Sequence, residues 1–262
     1  MNVSKRSITV KGTIIGGGIP LICTPLIGMD QDQILSELQN TLPKAPDLIE
    51  WRADFFSHLP NTDAVLDTLA GIQETIAQTP LLFTVRSQRE GGEPIALSES
   101  DKLMLFEKVC GSGGIDLIDY ELVNEKENIH HLSRVAEEAG VRLILSYHNF
   151  ESTPVSSDIL GKLLEAESRG ADIAKVAVMP HSSQDLLTLL QATLTASQQL
   201  RIPLITMSMG GLGTLTRLAG WMFGSDVTFA IGKQGSAPGQ IPIEELREVM
   251  QSIQQWAGGG QT

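Results

Sequence analysis

Eight short apolar runs recur along the chain, at residues 20–25, 47–52, 81–86, 115–122, 142–147, 172–178, 203–208 and 227–232. They are largely continuous in apolar residues, the pattern of strands buried on both faces. Between them, apolar residues recur at helical spacing. The stripes are Ile34, Leu35, Leu38 and Leu42 behind a capping Asp30; Val65, Leu66, Leu69, Ile72 and Ile76; Leu103, Phe106 and Cys110; and Ile129, Leu132 and Val135. They continue with Ile159, Leu160, Leu163 and Leu164; Leu186, Leu187, Leu190 and Leu194; Leu215, Leu218 and Met222; and Leu246, Val249, Ile253 and Trp256. Gly140 and Gly170 fall where helices end, and Pro242 at the first turn of the last one. Eight strand–helix units spaced by roughly 25–35 residues fit an α/β fold, the (β/α)8 TIM barrel, in a chain of 262 residues. A doubly wound open sheet fits less well, because no G-x-G-x-x-G follows the first strand. Ile8 and Val10, then Ile14 across a Lys11-Gly12 turn, predict an N-terminal β-hairpin closing the bottom of the barrel. No linker or internal repeat divides the chain, so residues 1–262 are expected to form one domain, with the tail Gly258-Gly259-Gly260 frayed.

Lys plus Arg number 19 and Asp plus Glu 31, a net charge of −12. That balance argues against nucleic acid and anionic membranes as main partners. Cys23 and Cys110 are too few for a disulfide framework and lack metal-ligand spacing, so two free thiols in a reducing cytoplasm are expected. Residues 12–29 are uncharged and follow Lys5-Arg6, as in a signal peptide, but they contain five Gly and two Pro, which break a helical apolar segment. No run reaches membrane-spanning length, and a cytoplasmic protein is expected.

Chemistry on such a barrel sits at the C-terminal ends of the strands. There the chain places Glu50, Arg52 and Asp54 on one face of the second strand, Arg86 and then Glu90 after the third, and Asp119 and Glu121 on the fourth. His148 follows the fifth strand, Lys175 lies within the sixth, Arg217 follows the seventh, and Ser236 to Gln240 follow the eighth. A lysine in an apolar strand is costly to bury charged, and a desolvated neutral amine is a nucleophile toward carbonyls. The residues alone leave two readings of Lys175 open: that nucleophile, or a structural lysine paired with Glu50 or Glu121. His148 suits general acid–base work, with Glu90 placed to orient the ring. Arg52, Arg86 and Arg217 beside Lys175 favour an anionic ligand, against a purely structural reading in which they pair with Glu50, Asp54, Asp119 and Glu121. Gly210-Gly211-Leu212-Gly213 reads either as a phosphate cradle or as a plain turn into the seventh helix.

Together these segments resemble the type I 3-dehydroquinate dehydratases. The matching stretches are Glu-Trp-Arg-Ala-Asp at 50–54, Phe-Thr-Val-Arg-Ser at 83–87 with Glu-Gly-Gly at 90–92, Ile-Asp-Tyr-Glu-Leu at 118–122 and Ser-Tyr-His-Asn-Phe at 146–150. Ala-Asp-Ile-Ala-Lys-Val-Ala at 171–177, Met-Ser-Met-Gly at 207–210, Phe-Gly-Ser at 223–225 and Ser-Ala-Pro-Gly-Gln at 236–240 complete the set, in order and across nearly the whole chain. The resemblance implies a lyase of the shikimate pathway, the third step toward chorismate and aromatic amino acids. It implies Lys175 as the Schiff-base lysine, His148 as the acid–base histidine and Glu90 as the carboxylate beside it. Glu50, Arg52 and Arg86 match substrate-binding positions, Arg217 the clamp on the substrate carboxylate, and Ser236 and Gln240 a loop folding over the ligand. One position departs: Pro25 stands after the first strand, where some members place a serine near the ligand. The resemblance further implies 3-dehydroquinate as substrate, no cofactor, no metal, and a homodimer.

Two other readings make distinct predictions. A Schiff-base aldolase acting on a phosphorylated sugar would also use Lys175 but needs a working phosphate site at 210–213. A non-catalytic ligand-binding barrel would keep its activity after Lys175→Ala. A metal-dependent amidohydrolase is disfavoured because no His-x-His follows the first strand.

Overall fold

The computed structural model describes residues 6–258. Lys5, Gly259 and Gly260 lie outside them, and with them the basic start and most of the tail expected to fray. Gly258 closes the last helix.

Parallel strands β3 (Leu21–Leu26), β4 (Leu48–Arg52), β5 (Leu81–Thr84), β6 (Leu117–Glu121), β7 (Arg142–Asn149), β8 (Ile173–Val178) and β9 (Leu204–Ser208) pair in chain order. The strand β10 (Val227–Ile231) pairs back onto β3 and carries the two-residue β11 (Ile241–Pro242) on its other side. The seam between β9 and β10 is joined at its foot. Asp226 N–H donates to Leu204 O at 2.7 Å, Asp226 Oδ2 accepts the Leu204 N–H at 2.7 Å, and Ser225 Oγ accepts the Thr206 N–H at 3.0 Å. The sheet is thus curled into the barrel expected from the eight runs. Around it lie α1 (Gln31–Thr41), α2 (Thr62–Ile76), α3 (Glu99–Gly111), α4 (Lys126–Ala139), α5 (Ser156–Ser168), α6 (Ser183–Gln199), α7 (Thr214–Ala219) and α8 (Ile243–Gly258). Side chains of Asp30, Asn61, Ser98 and Ser182 accept the first free backbone N–H groups of α1, α2, α3 and α6, which sets where those helices begin.

The period of two divides each strand. Outward residues such as Trp51, Phe83, Tyr120, Leu145 and Val176 pack against the helices. Inward residues are layered. Leu48, Leu82, Leu117, Ile144, Ile173 and Ile205 fill the foot of the barrel, closed from below by Val10 and Ile15 of the hairpin β1 (Ile8–Val10) and β2 (Thr13–Ile15). One step up the same strands the interior turns polar: Glu50, Thr84, Asp119, Ser146 and Lys175 are all buried. An apolar foot beneath a charged upper half places the chemistry at the C-terminal rim.

Several sequence expectations are corrected here. The inward residue of β2 is Ile15, and Ile14 is exposed. Strand β7 runs through His148, which therefore sits within the sheet, whereas β5 stops at Thr84 and leaves Arg86 on a loop. Pro25 lies inside β3 and not after it, and Pro242 ends β11 and does not open α8. The buried face of α8 is Ile243, Leu246 and Met250, packed on Ile22 and Ala230. Of the expected stripe, Val249 and Trp256 turn outward, Trp256 at 83% exposed, and Ile253 is only half-buried. Two stripes of helical period overlap there, and the sheet takes the one nearer the strand that feeds it. In α6 the same competition buries Leu186, Leu189 and Leu190 and exposes Leu187.

Candidate active site

Lys175 points into the barrel from the middle of β8 and is 5% exposed. Its Nζ donates to Asp119 Oδ2 at 2.8 Å, lies 3.9 Å from Glu50 Oε1, and stands 4.6 Å from the centre of the Phe229 ring. The closest ion-pair partner is thus Asp119; of the two considered from sequence, Glu50 is a more distant partner and Glu121 does not pair with Lys175. Asp119 Oδ1 meanwhile accepts from Ser146 Oγ at 2.6 Å and lies 2.7 Å from Arg86 Nη2. Burial alone would raise the Asp119 carboxyl, but Arg86 and Lys175 hold it well below the usual carboxylate range. Arg86 also donates to Ser146 Oγ at 2.8 Å and lies 3.5 Å from Glu121 Oε1 and 3.8 Å from Glu90 Oε2. Burial would lower its guanidinium pKa, yet the surrounding Asp119, Glu121 and Glu90 drive it upward.

His148 and Glu90 form a second buried group. Glu90 Oε2 accepts the His148 backbone N–H at 3.0 Å and lies 2.8 Å from the ring Nδ1. Burial, with Arg86 and Lys175 adding to it, pushes the imidazole well below 6.5. Burial also pushes the Glu90 carboxyl up to about 8, against the pull of Arg86. The low-dielectric site favours neutral partners over an ion pair, and the two groups share protons across one hydrogen bond. Glu90 reaches this place on a 3-10 turn (Gln88–Glu90) that only glycine can follow. A Cβ on Gly91 would stand 2.2 Å from the Phe150 ring, and one on Gly92 2.1 Å from Arg86 O.

Arg217, at 1% exposed, has no carboxylate partner among the described residues. Its Nη1 donates to Met207 Sδ at 3.5 Å and its Nη2 to Pro238 O at 3.3 Å, while Nε has no partner. Burial lowers its pKa to about 10. A guanidinium so placed, in a cavity, is a receptor for a carboxylate or phosphate. Arg52 is instead held in a bidentate pair by Asp54 at 2.8 and 2.7 Å, and its Nη1 reaches Ser236 O at 3.5 Å. Gln240 folds back on Ser236, accepting its backbone N–H at 2.9 Å and donating to its Oγ at 3.3 Å. This loop rests on the 210–213 segment: Gly210 N–H donates to Pro238 O at 3.1 Å, and a Cβ on Gly239 would stand 2.0 Å from Gly210 O. Gly213 and Thr214 N–H donate to Gly210 O and Gly211 O. The glycine segment is therefore a turn and a seat for the loop, with those backbone donors already engaged.

All nine residues given roles from the sequence, Glu50, Arg52, Arg86, Glu90, His148, Lys175, Arg217, Ser236 and Gln240, line one cavity. Pro25 is not among its lining residues. Sequence reasoning missed the apolar wall, Phe150, Ala177, Met207, Met209 and Phe229, since an apolar residue on a strand reads the same whether it faces a cavity or the core. The role of Asp119 as partner of Lys175 had one available signal, its place two residues before Glu121 on the same inward face. Among the described residues no group of three or more His, Cys, Asp or Glu is arranged to hold a metal ion.

Comparison with known proteins gives a consistent picture. The 3-dehydroquinate dehydratase of Geobacillus sp. (strain WCH70) is 56% identical over 254 residues, 97% of this chain and 98% of that protein. The crystal structure of 3-dehydroquinate dehydratase from Geobacillus kaustophilus HTA426 matches with a TM-score of 0.95 at 50% identity, covering 98% of this chain and all of that one. A type I 3-dehydroquinate dehydratase from Clostridium difficile, solved with covalently modified comenic acid, matches with a TM-score of 0.93 at 39% identity, covering 96% and 99% of the two chains. A family model described as type I 3-dehydroquinase matches residues 22–257, nearly the whole barrel, and the chain belongs to that family.

Proposed function

We propose that this chain dehydrates 3-dehydroquinate to 3-dehydroshikimate in the shikimate pathway through an imine on Lys175. The observation that carries the reading is the Lys175 amine inside a cavity that also holds the buried His148–Glu90 pair and the unpaired Arg217 guanidinium. Arg217 binds the substrate carboxylate, which orients the ring with its C3 ketone toward Nζ. Glu50, Arg52 and Arg86 complete the polar wall, and Arg86 also holds Asp119 against the lysine. The neutral amine adds to the ketone, and loss of water gives the protonated imine, with His148 moving the protons. The imine draws electrons from C2, so the C2 proton becomes acidic. His148, held at its Nδ1 by Glu90, takes that proton and an enamine forms. The enamine expels the C1 hydroxyl, which leaves as water with the proton returned by imidazolium. A second water hydrolyses the new imine and frees Lys175. One water enters for each one released in imine formation, so the net change is loss of one water.

The Ser236–Gln240 segment acts as the lid that keeps bulk water from the imine. No observation favours the aldolase: the Gly210, Gly213 and Thr214 N–H groups of the glycine segment are engaged by backbone carbonyls. Borohydride added with 3-dehydroquinate should trap an adduct on Lys175, located by peptide mass mapping, and none should form on Lys175→Ala. Trapping elsewhere, or no rise in enone absorbance with untreated protein, overturns the reading. We further propose that residues 1–262 act as one catalytic domain, in the cytoplasm, as a homodimer. No described helix is long and apolar enough to cross a membrane, and Cys23 and Cys110 are free and buried, which support that compartment. Light scattering that reads the mass of one chain sinks the dimer.

A further inference from the structure

Lys102, on α3, is 2% exposed, deeper than Lys175 itself. A charge so far from water persists only with partners. Its Nζ lies 3.1 Å from Glu99 Oε2 on its own helix, 3.7 Å from Glu121 Oε2 on β6, and 5.3 Å from the centre of the Tyr120 ring. The Tyr120 hydroxyl donates to Glu99. Glu121, 1% exposed, is where this outer group meets the cavity. Its Oε2 makes no hydrogen bond and faces Lys102. Its Oε1 accepts the Ser87 N–H at 2.6 Å and lies 3.5 Å from Arg86 Nη1. Ser87 O in turn accepts the N–H groups of Glu90 at 3.0 Å and Gly92 at 2.9 Å. The turn bearing Glu90 therefore hangs from a carboxylate whose other oxygen is held by a helix outside the barrel. Packing alone would not need a charge there, since methionine would fill much the same space.

We propose that Lys102 is a positioning residue for the dehydration: its ammonium fixes the charge and orientation of Glu121, and through Ser87 and Arg86 sets the Glu90–His148 pair that moves the proton. The inference rests on the functional reading above. The charged groups around the pair are Arg86 and Glu121 beside Glu90, with Asp119 and Lys175 below and Arg52 acting on the His148 ring. Glu121 is among the groups that raise the Glu90 carboxyl, and the Lys102 ammonium stands 3.7 Å from Glu121 Oε2.

The test is Lys102→Met, read by the pH dependence of kcat/KM and by NMR titration of the His148 ring without substrate. Removing a cation makes the pair hold its proton more tightly. The acid limb and the ring titration should both move up, by about 0.5–1 pH unit, with kcat down about tenfold and KM within about twofold. Glu121→Gln keeps an oxygen for the Ser87 N–H but removes the anion, and should move both downward. The double variant should return them close to wild type, because the two charges cancel. Profiles that overlay wild type, with only the melting temperature lowered, reduce Lys102 to packing and overturn the proposal. Where Lys102→Met does not fold, an unmoved limb in Glu121→Gln overturns it equally. Wild-type protein inert toward 3-dehydroquinate sinks the functional reading instead, and the ring titration still decides the coupling.

Discussion

Arg217 is costly to the fold, and in the proposed reaction it is the group that binds the substrate carboxylate. It is buried, it has no carboxylate partner, and its Nε finds no acceptor. An isolated buried cation opposes folding, so Arg217→Met should raise the melting temperature, by about 1 kcal/mol of stability, through a side chain of similar reach. The same change should cut kcat/KM with 3-dehydroquinate by about 10²–10³-fold, the loss of a charge-assisted bidentate contact. Thermal melts and steady-state kinetics on one preparation check both signs. A variant that melts lower and binds as well would place Arg217 among structural residues. From sequence, Arg217 was one of three arginines at one rim, and nothing local distinguished it from Arg52 and Arg86. The difference is a matter of neighbours: Arg52 meets Asp54 two residues away, and Arg86 meets Asp119 and Glu121 from β6, whereas only a sulfur and a carbonyl reach Arg217.

At the scale of elements, the loops after β5, β9 and β10 depend on glycines at points of close approach. Gly239 has φ +77°, and a Cβ there would stand 2.0 Å from Gly210 O. Gly239→Ala should therefore unseat the 236–240 loop from the 210–213 turn without touching the barrel. The expected result is a KM raised about tenfold, a smaller fall in kcat, and a melting temperature within a degree or two of wild type, since such loops belong to the weakly held part of a fold. Unchanged kinetics would mean that the loop does not close the site. The strands were legible because their apolar runs are bounded by Gly, Pro and charge. Their ends were not: β7 extends through His148, paired with β8 as far as Asn149 opposite Val178, whereas β5 stops at Thr84 opposite Asp119 although β6 runs on to Glu121. The outward stripes on α6 and α8 misled because helical period alone does not say which of two overlapping faces meets the sheet.

For the whole molecule, the Glu90–His148 pair links protonation to folding. Glu90 has its carboxyl raised to about 8 from 4.5, so the stability it contributes is full below pH 4.5 and is lost as pH rises toward 8. His148 has its imidazole depressed below 6.5, so its contribution is present above 6.5 and lost as pH falls. Below pH 6.5 the two trends oppose each other. Between 6.5 and 8 only Glu90 acts, and stability should fall by up to about 1.4 kcal/mol per pH unit. Urea midpoints across this window should show the slope in wild type and its loss in Glu90→Gln. Equal slopes in the two proteins would mean that Glu90 is ionised in the folded state.

The chain alone determined the barrel and the roster of polar residues at its rim, because periodicity and the order of strands are local properties that each segment carries by itself. It determined that Glu50, Lys175 and His148 share an interior, since alternation along a strand leaves only two faces. Which carboxylate holds Lys175, which arginine stands unpaired, and how Lys102 on an outer helix reaches a turn in the cavity were decided by tertiary structure. Those depend on distances between strands far apart in sequence, and a difference of an ångström or two separates an ion pair from a guanidinium with no carboxylate beside it.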